Sequence, residues 1–416
     1  MEPPAPFDLD LRRAARLADI APFHVLDVQT AARVLEAAGR DIVHMEIGEP
    51  DFPTPPAALA AARAMLDDGR IWYTPAIGLP ELRAAIARHY AEDFGVEIAP
   101  SRVVVTAGSS AALLLVLSLL VDRDDELLQA DPGYPCNRHF VRVLEGRPVG
   151  VPVDAASAYQ LTTGHVNEHW RERTRGVLVA SPSNPTGTTI PPAELADIAR
   201  VVRERRGFLV VDEIYLGLTY DQDVLGPPRS ALSIAAPHLD EFYVVSSFSK
   251  YFAMTGWRLG WIVAPEHRVR DLETLAQNLY ISPPTLAQRA ALACFTPETF
   301  ALLESQRCEL EARRDRLVAA LRRLSFGVPV IPRGGLFVYA DSSAFDVDSE
   351  RFCRDALEGA GVAFTPGIDF GVHRASDHVR FAYTLSRERL DEAIARLTRF
   401  LAARERDGSR TSGAAR

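Results

Sequence analysis

Seven short apolar runs alternate with helix-patterned stretches over residues 102–263, and this rhythm constrains the fold more than any single motif. The runs cover 102–106, 126–130, 148–153, 177–180, 208–211, 242–245 and 259–263. Most are rich in Val, Leu and Phe without polar alternation, as expected of strands buried on both faces. Strands of that kind separated by helices predict an α/β fold: a mostly parallel, seven-stranded sheet covered by helices on both sides. The gap between 245 and 259 is too short for a crossover helix, so the seventh strand is expected to enter antiparallel. Polar residues cluster just after the strands, as in Gly108-Ser109-Ser110, Asp131 to Tyr134, Ser181 to Asn184, Asp212 to Tyr215 and Ser246 to Lys250. Open α/β sheets bind their ligands at the carboxyl ends of the strands.

The flanks read differently. Residues 1–25 are rich in Pro, Ala and Arg and are expected to form an arm. A helix is predicted over 25–38, with Val25, Val28, Ala32 and Leu35 on one face. Prolines break the chain into ordered loops at 45–55 and 73–80. After 284 the strand–helix rhythm gives way to a long helical stretch, 286–324, interrupted near Pro297. Short strands follow at 337–340 and 379–382, a helix at 349–359, and a last helix at 388–402. The expected division is an arm and first helix of the small domain (1–47), a large domain (48–284), a smaller α+β domain (285–403) and a disordered polar tail (404–416).

A net charge of -9 argues against nucleic acid or an anionic membrane as a partner. The longest apolar run, 111–121, is too short to span a bilayer. Met1-Glu2-Pro3-Pro4 has no basic or apolar leader pattern, and the four cysteines show no paired spacing. A cytoplasmic protein with reduced thiols and no metal site is the expectation.

Lys250 is the only lysine among 46 Lys plus Arg. A desolvated amine can lose its proton and attack a carbonyl, which a guanidinium cannot do. Amino-group chemistry of that kind needs a carbonyl cofactor, and pyridoxal phosphate is the common one. Each of its parts has a candidate partner. Gly108-Ser109-Ser110 opens a helix and suits the phosphate, with Ser247 and Arg258 beside the lysine adding a hydroxyl and a guanidinium. Asp212 can pair with the pyridine nitrogen, Tyr134 can stack on the ring, and Asn184 and Tyr215 can reach the phenolic oxygen. Arg380 can hold a substrate carboxylate. Each also has a plainer reading: a helix cap for the serines and Asp212, a packed loop aromatic for Tyr134, a turn residue for Asn184, a solvent-facing edge arginine for Arg380.

Taken together the chain resembles the class I/II aminotransferases, pyridoxal-phosphate enzymes of fold type I, over about 19–401. The motifs stand in family order: I-G-E-P-D-F-P-T-P (47–55), Y-T-P-A-I-G-L-P-E-L-R (73–83), T-A-G-S-S (106–110), D-P-G-Y-P (131–135), S-P-S-N-P-T-G (181–187), D-E-I-Y (212–215), S-F-S-K (247–250), G-W-R-L-G (256–260) and V-R-F-A (379–382). The resemblance implies that Lys250 is the Schiff-base lysine, that Asp212 holds the pyridine nitrogen, and that Tyr215 and Asn184 bind the phenolic oxygen. It puts Ser109, Ser110, Ser247, Ser249 and Arg258 around the phosphate and Tyr134 over the ring. It gives Arg380 the substrate α-carboxylate, with Gly48 nearby. Tyr73 would reach the neighbouring subunit's phosphate, implying a homodimer with shared sites.

The implied reaction is ping-pong transfer of an amino group from an L-amino acid to a 2-oxo acid. Two departures bear on the substrate. Ala21-Pro22-Phe23-His24 stands where the family often has Ser or Thr, and Ser109 where some aspartate-preferring members are basic. A neutral or aromatic donor is therefore expected, with 2-oxoglutarate or pyruvate as acceptor. The rivals are an aspartate-preferring aminotransferase, a same-fold Cβ lyase that would release ammonia, and a regulatory protein using this fold as an effector module. The last would need a DNA-binding segment, which the sequence does not offer. A nicotinamide dehydrogenase is disfavoured because the first strand–helix turn lacks G-x-G-x-x-G.

Overall fold

The apolar runs form one sheet because most side chains on them are buried, the edge run at 147–152 excepted. In the computed structural model, which describes residues 14–413, the seven strands are β2 (Val103–Thr106), β3 (Glu126–Asp131), β4 (Arg147–Pro152), β5 (Thr174–Ala180), β6 (Phe208–Asp212), β7 (Phe242–Ser247) and β8 (Gly260–Val263). Their spatial order is β2-β8-β7-β6-β5-β3-β4. All neighbours are parallel except β8, which runs antiparallel to both β7 and β2, as the short 245–259 gap predicts. Successive residues face opposite cores. Val103, Val105, Leu209, Val211 and Val244 enter one, and Val104, Val210, Tyr243 and Val245 the other. Two buried faces explain why the strands lack polar alternation.

Helices α1 (His24–Ala37), α2 (Pro56–Asp68), α3 (Pro80–Phe94), α4 (Ser109–Leu120) and α5 (Pro135–Val143) build the flanks that reach the site. Helices α2, α3 and α5 each begin with proline, whose missing N–H falls where no intrahelical acceptor exists. Helix α4 is almost wholly apolar and packs into the sheet core, so the 111–121 run is a buried helix.

The smaller lobe is centred on an antiparallel sheet of β9 (Phe337–Asp341), β12 (His378–Ala382) and β11 (Thr365–Pro366). The N-terminal β1 (Val43–His44) pairs with β10 (Val362–Ala363), which ties the start of the chain to this lobe. Two expectations need adjusting. Helix Thr285–Leu292 lies past the expected boundary at 284, yet Ala287, Ala290 and Ala291 pack into the large-lobe core. Its small side chains allow close approach to α2 and α3. The last helix, Arg387–Gly413, runs past 404 into the segment 404–416 that was expected to be disordered, of which 414–416 lie outside the described residues. Arg404 anchors that extension on Asp355 at 2.6 Å and Asp346 at 3.2 Å. The expected N-terminal arm falls partly on residues 1–13, outside the described residues.

Candidate active site

A cavity of about 250 Å³ opens where β2, β5, β6 and β7 end and the small lobe closes over them. Its walls include Ser109, Ser110, Tyr134, Asn184, Asp212, Tyr215, Ser249, Lys250, Arg258, Arg380 and Gly48. Eleven of the thirteen residues singled out from sequence therefore meet at one place.

Lys250 follows β7 after a turn of two residues. Its Nζ donates to the carbonyl oxygen of Gly48 at 2.7 Å. Burial lowers its pKa to about 8; Glu49 opposes that shift, and the positive Arg380 and Arg258 reinforce it. An amine near 8 is available as a nucleophile and base, as the lone lysine suggested. Gly48 is close to the lysine for a packing reason: a Cβ there would lie 2.0 Å from the Phe337 ring.

Asp212 ends β6, between Ala180 on β5 and Val245 on β7. Its Oδ1 accepts one N–H, from Ile214 at 2.9 Å, and burial raises its pKa to about 6. A buried carboxylate with so little compensation fits a cationic ring nitrogen. The cradle at α4 is equally suggestive. Gly108 at the N-cap has φ +85, and no side chain caps the helix, leaving its first N–H groups open to an anion. A Cβ at Gly108 would lie 2.7 Å from the nearest guanidinium nitrogen of Arg258, so glycine is required both for its φ and for that approach. Arg258 itself is held by its Nη1 donating to the Thr255 carbonyl at 3.0 Å. A terminal guanidinium, two serine hydroxyls and a helix N-terminus make a donor set for a phosphate.

Arg380 sits on β12 and is only 2% exposed. Its Nη1 donates to Asn184 Oδ1 at 2.9 Å, and its Nη2 donates to the Glu46 carbonyl and, at 3.3 Å, to Thr365 Oγ1. Its Cζ lies 3.9 Å from the centroid of Phe337 and 4.7 Å from that of Phe370. Burial depresses its pKa to about 10, and its Nε has no hydrogen-bond partner. A guanidinium fixed by neutral groups and flanked by rings fits a carboxylate ligand. It is not the solvent-facing edge arginine of the plainer reading. Burial also raises the phenols of Tyr215 and Tyr134, keeping both as neutral donors.

Two expected residues stand apart. Ser247 does not line the cavity. Its hydroxyl accepts from Ser249 N at 3.0 Å and lies 2.8 Å from Ser249 Oγ and 2.9 Å from the Leu259 carbonyl. Its part is to brace Ser249, because as the last residue of β7 it is still enclosed by the sheet. Tyr73 is 78% exposed and lies outside this chain's cavity. Phe23, from the 21–24 stretch tied to the substrate in the sequence, lines the cavity, and the structure adds what sequence reasoning missed: Val25 and Leu26 at the start of α1, with Ile47, Ile214, Thr255 and Phe337. The α1 start is held there by Asp369, which accepts from His24 N at 3.0 Å and Val25 N at 3.4 Å. No local signal marks that long-range contact, 344 residues apart in sequence.

Comparison with known proteins agrees with this geometry. The family described as "Aminotransferase class I and II" matches residues 40–397. The chain is 39% identical to the valine–pyruvate aminotransferase of Mycobacterium tuberculosis, over 94% of this chain and 98% of that protein. It is 34% identical to the aspartate/prephenate aminotransferase of Thermus thermophilus, over 93% of this chain and 98% of that one. A crystal structure of an aminotransferase from Mycobacterium tuberculosis superposes with a TM-score of 0.88 at 38% identity, covering 94% of this chain and 99% of that one. A matched profile, full-length relatives and a cavity whose donors fit each part of pyridoxal phosphate agree: this chain belongs to the aminotransferase class I and II family and is a pyridoxal-phosphate-dependent aminotransferase.

Proposed function

We propose that the donor is a neutral L-amino acid with an aliphatic or aromatic side chain, and that a small 2-oxo acid such as pyruvate or 2-oxoglutarate is the acceptor. One observation carries this reading. Among the described residues lining the cavity the basic side chains are Lys250, Arg258 and Arg380. The first is the reactive amine, the second belongs to the phosphate cradle and the third takes the α-carboxylate. No cation remains for a second carboxylate, while Phe23, Val25, Leu26, Ile47, Ile214 and Phe337 offer apolar surface. The mycobacterial relative named for valine and pyruvate supports the same choice.

The residues divide the work. When bound, pyridoxal phosphate supplies the carbonyl that takes up the amino group and the ring that receives the Cα–H electrons. Ser109, Ser110, Ser249 and Arg258 would hold its phosphate, Asp212 its pyridine nitrogen, Asn184 and Tyr215 its phenolic oxygen, with Tyr134 against the ring. Arg380 and Asn184 anchor the substrate carboxylate and so fix which Cα bond faces Lys250. The Lys250 amine removes that proton and returns it, acting as base and then acid. Walls formed by α1 and the small lobe keep water from the reacting atoms.

The working unit in this reading is a homodimer in the cytoplasm. Exposed Ile71, Trp72 and Tyr73 form an apolar patch suited to a second copy, whose site Tyr73 would complete. Four unpaired thiols suit a reducing compartment. The test is a panel of initial rates with pyruvate or 2-oxoglutarate as acceptor. Turnover of valine, alanine or phenylalanine well above aspartate is expected. Strong aspartate turnover with none on alanine or phenylalanine would overturn the donor assignment, and ammonia release without an oxo acid would point to Cβ elimination. Sedimentation of the holoenzyme as a monomer would remove the role given to Tyr73.

A further inference from the structure

Helix α1 meets the catalytic cavity with its first turn, yet it has no cap of its own. Phe23 stands at the N-cap position, where its side chain can accept no hydrogen bond. The open N–H groups of a helix start need an acceptor. Asp369 supplies it from 345 residues away in sequence. Its Oδ1 accepts from His24 N at 3.0 Å and its Oδ2 from Val25 N at 3.4 Å. The residue is completely buried, so water does not compete for these bonds, and a carboxylate suits the positive end of a helix.

Asp369 is in turn fixed from the large lobe. Its carbonyl accepts from Arg138 Nη2 of α5 at 2.7 Å, and the Phe370 carbonyl accepts from Gly133 N at 2.9 Å. The Asp131 carboxylate, at the end of β3, accepts from Val372 N at 3.0 Å and His373 N at 3.3 Å. A Cβ at Gly371 would lie 1.7 Å from Asp131 Oδ1, so the segment can run this close only as glycine. Transamination uses Tyr134 of D-P-G-Y-P but neither Asp131 nor Gly133; these two hold the 370–373 segment. The start of α1 is thereby registered against the same strand ends that carry the cofactor residues. Its first turn brings Phe23, Val25 and Leu26 to the cavity, with the Phe23 ring edge-on to Tyr134 at 6.5 Å between centroids.

We propose that Asp369 is a positioning residue for donor choice: by capping α1 it sets where Phe23, Val25 and Leu26 stand, and so how well a larger apolar donor side chain is received. The inference rests on the reading that these residues form the wall for the donor's side chain. Asp369 does not itself line the cavity and acts through α1. Every donor shares the α-carboxylate assigned to Arg380, so the side chain is the part whose binding depends on α1. Alanine offers that wall only a methyl group, while valine and phenylalanine offer more apolar area.

The test compares the wild-type holoenzyme with Asp369→Ala and the near-isosteric Asp369→Leu, using alanine, valine, phenylalanine and aspartate as donors. In both variants the kcat/KM ratios of valine to alanine and of phenylalanine to alanine should fall by about fivefold or more, because an uncapped first turn holds the wall in place for less of the time. Asp369→Asn keeps an acceptor oxygen for His24 N and should recover most of the difference. Amide hydrogen exchange over 24–26 should quicken in Asp369→Ala and Asp369→Leu and stay slow over α4. Quickened exchange with donor ratios unchanged or raised overturns the proposal, because a general structural defect lowers all donors alike. Unchanged exchange in the folded variants overturns the capping role. A wild type that prefers aspartate to all three neutral donors overturns the donor reading and this inference with it, and shows before any variant is made.

Discussion

The two sides of the catalytic cavity are built from different parts of the chain and do different things. The sheet side carries Lys250, Asp212, Asn184 and the Gly108 cradle, all at or just past strand ends. The opposite side is the start of α1, the 46–48 segment, Phe337 and Arg380, brought in by β1–β10 pairing and by β12. The first side is polar and suited to holding a cofactor. In the proposed reading the second grips one carboxylate, and otherwise it presents apolar surface. The proposed function thus assigns the chemistry to the large lobe and the choice of donor to the opposite wall.

The sharpest way to break this division is on the sheet side. Lys250→Ala should lower kcat by on the order of 10⁴-fold or more, since it removes both the nucleophile and the base. A steady-state assay with added exogenous amine would check it, partial rescue by the amine being the expected mark of a lost base. On the opposite side, Arg380→Leu should cost roughly 2–5 kcal/mol in kcat/KM, the range for a desolvated charge pair losing one partner. The loss should be common to all donors, because every donor has an α-carboxylate. Equal loss for Lys250→Ala and Arg380→Leu in cofactor retention would contradict the division, since only the former should release cofactor readily.

Asp212 sharpens the comparison through stability. Its pKa, raised by burial to about 6 from an ordinary 3.8, means that the folded, cofactor-free protein holds a proton more tightly than the unfolded chain. Stability from this group is therefore present below about 4 and lost as pH rises through about 6. Asp212→Asn should stabilise the cofactor-free protein at pH 7 by roughly 3 kcal/mol while crippling turnover. Denaturant melts of both proteins at pH 4 and pH 7 would check this, with the gain confined to the higher pH. The smallest expected effect is on the α1 wall. Leu26→Arg should shift the preference between aspartate and valine by about tenfold, roughly 1.4 kcal/mol, without changing cofactor absorbance.

The same division governs what the sequence made legible. Strand ends are local: Asp212 follows Leu209-Val210-Val211 and Lys250 follows β7, so an apolar run and the polar residue after it are read together. Gly108-Ser109-Ser110 was legible because a helix start has its own chemistry. Of the α1 wall only the 21–24 stretch was; Val25 and Leu26 were not, because the start of α1 is held at the cavity by Asp369, far along the chain. The Glu46 carbonyl beneath Arg380 was invisible for a simpler reason: a backbone oxygen leaves no mark in a sequence. Ser247 shows the limit of motif transfer, since Ser249 and Lys250 of S-F-S-K face the cavity while its own hydroxyl turns to Ser249 and Leu259. The helix past 404 was missed because composition alone does not record the anchoring of Arg404 on Asp355 and Asp346.

The most direct measurement is an absorbance spectrum of the purified protein loaded with pyridoxal phosphate, before and after single amino acids are added without any oxo acid. The account predicts a visible band that is absent in Lys250→Ala and that bleaches with valine, alanine or phenylalanine more readily than with aspartate, each releasing its 2-oxo acid. A band that persists in Lys250→Ala, or that bleaches with aspartate alone, would contradict it.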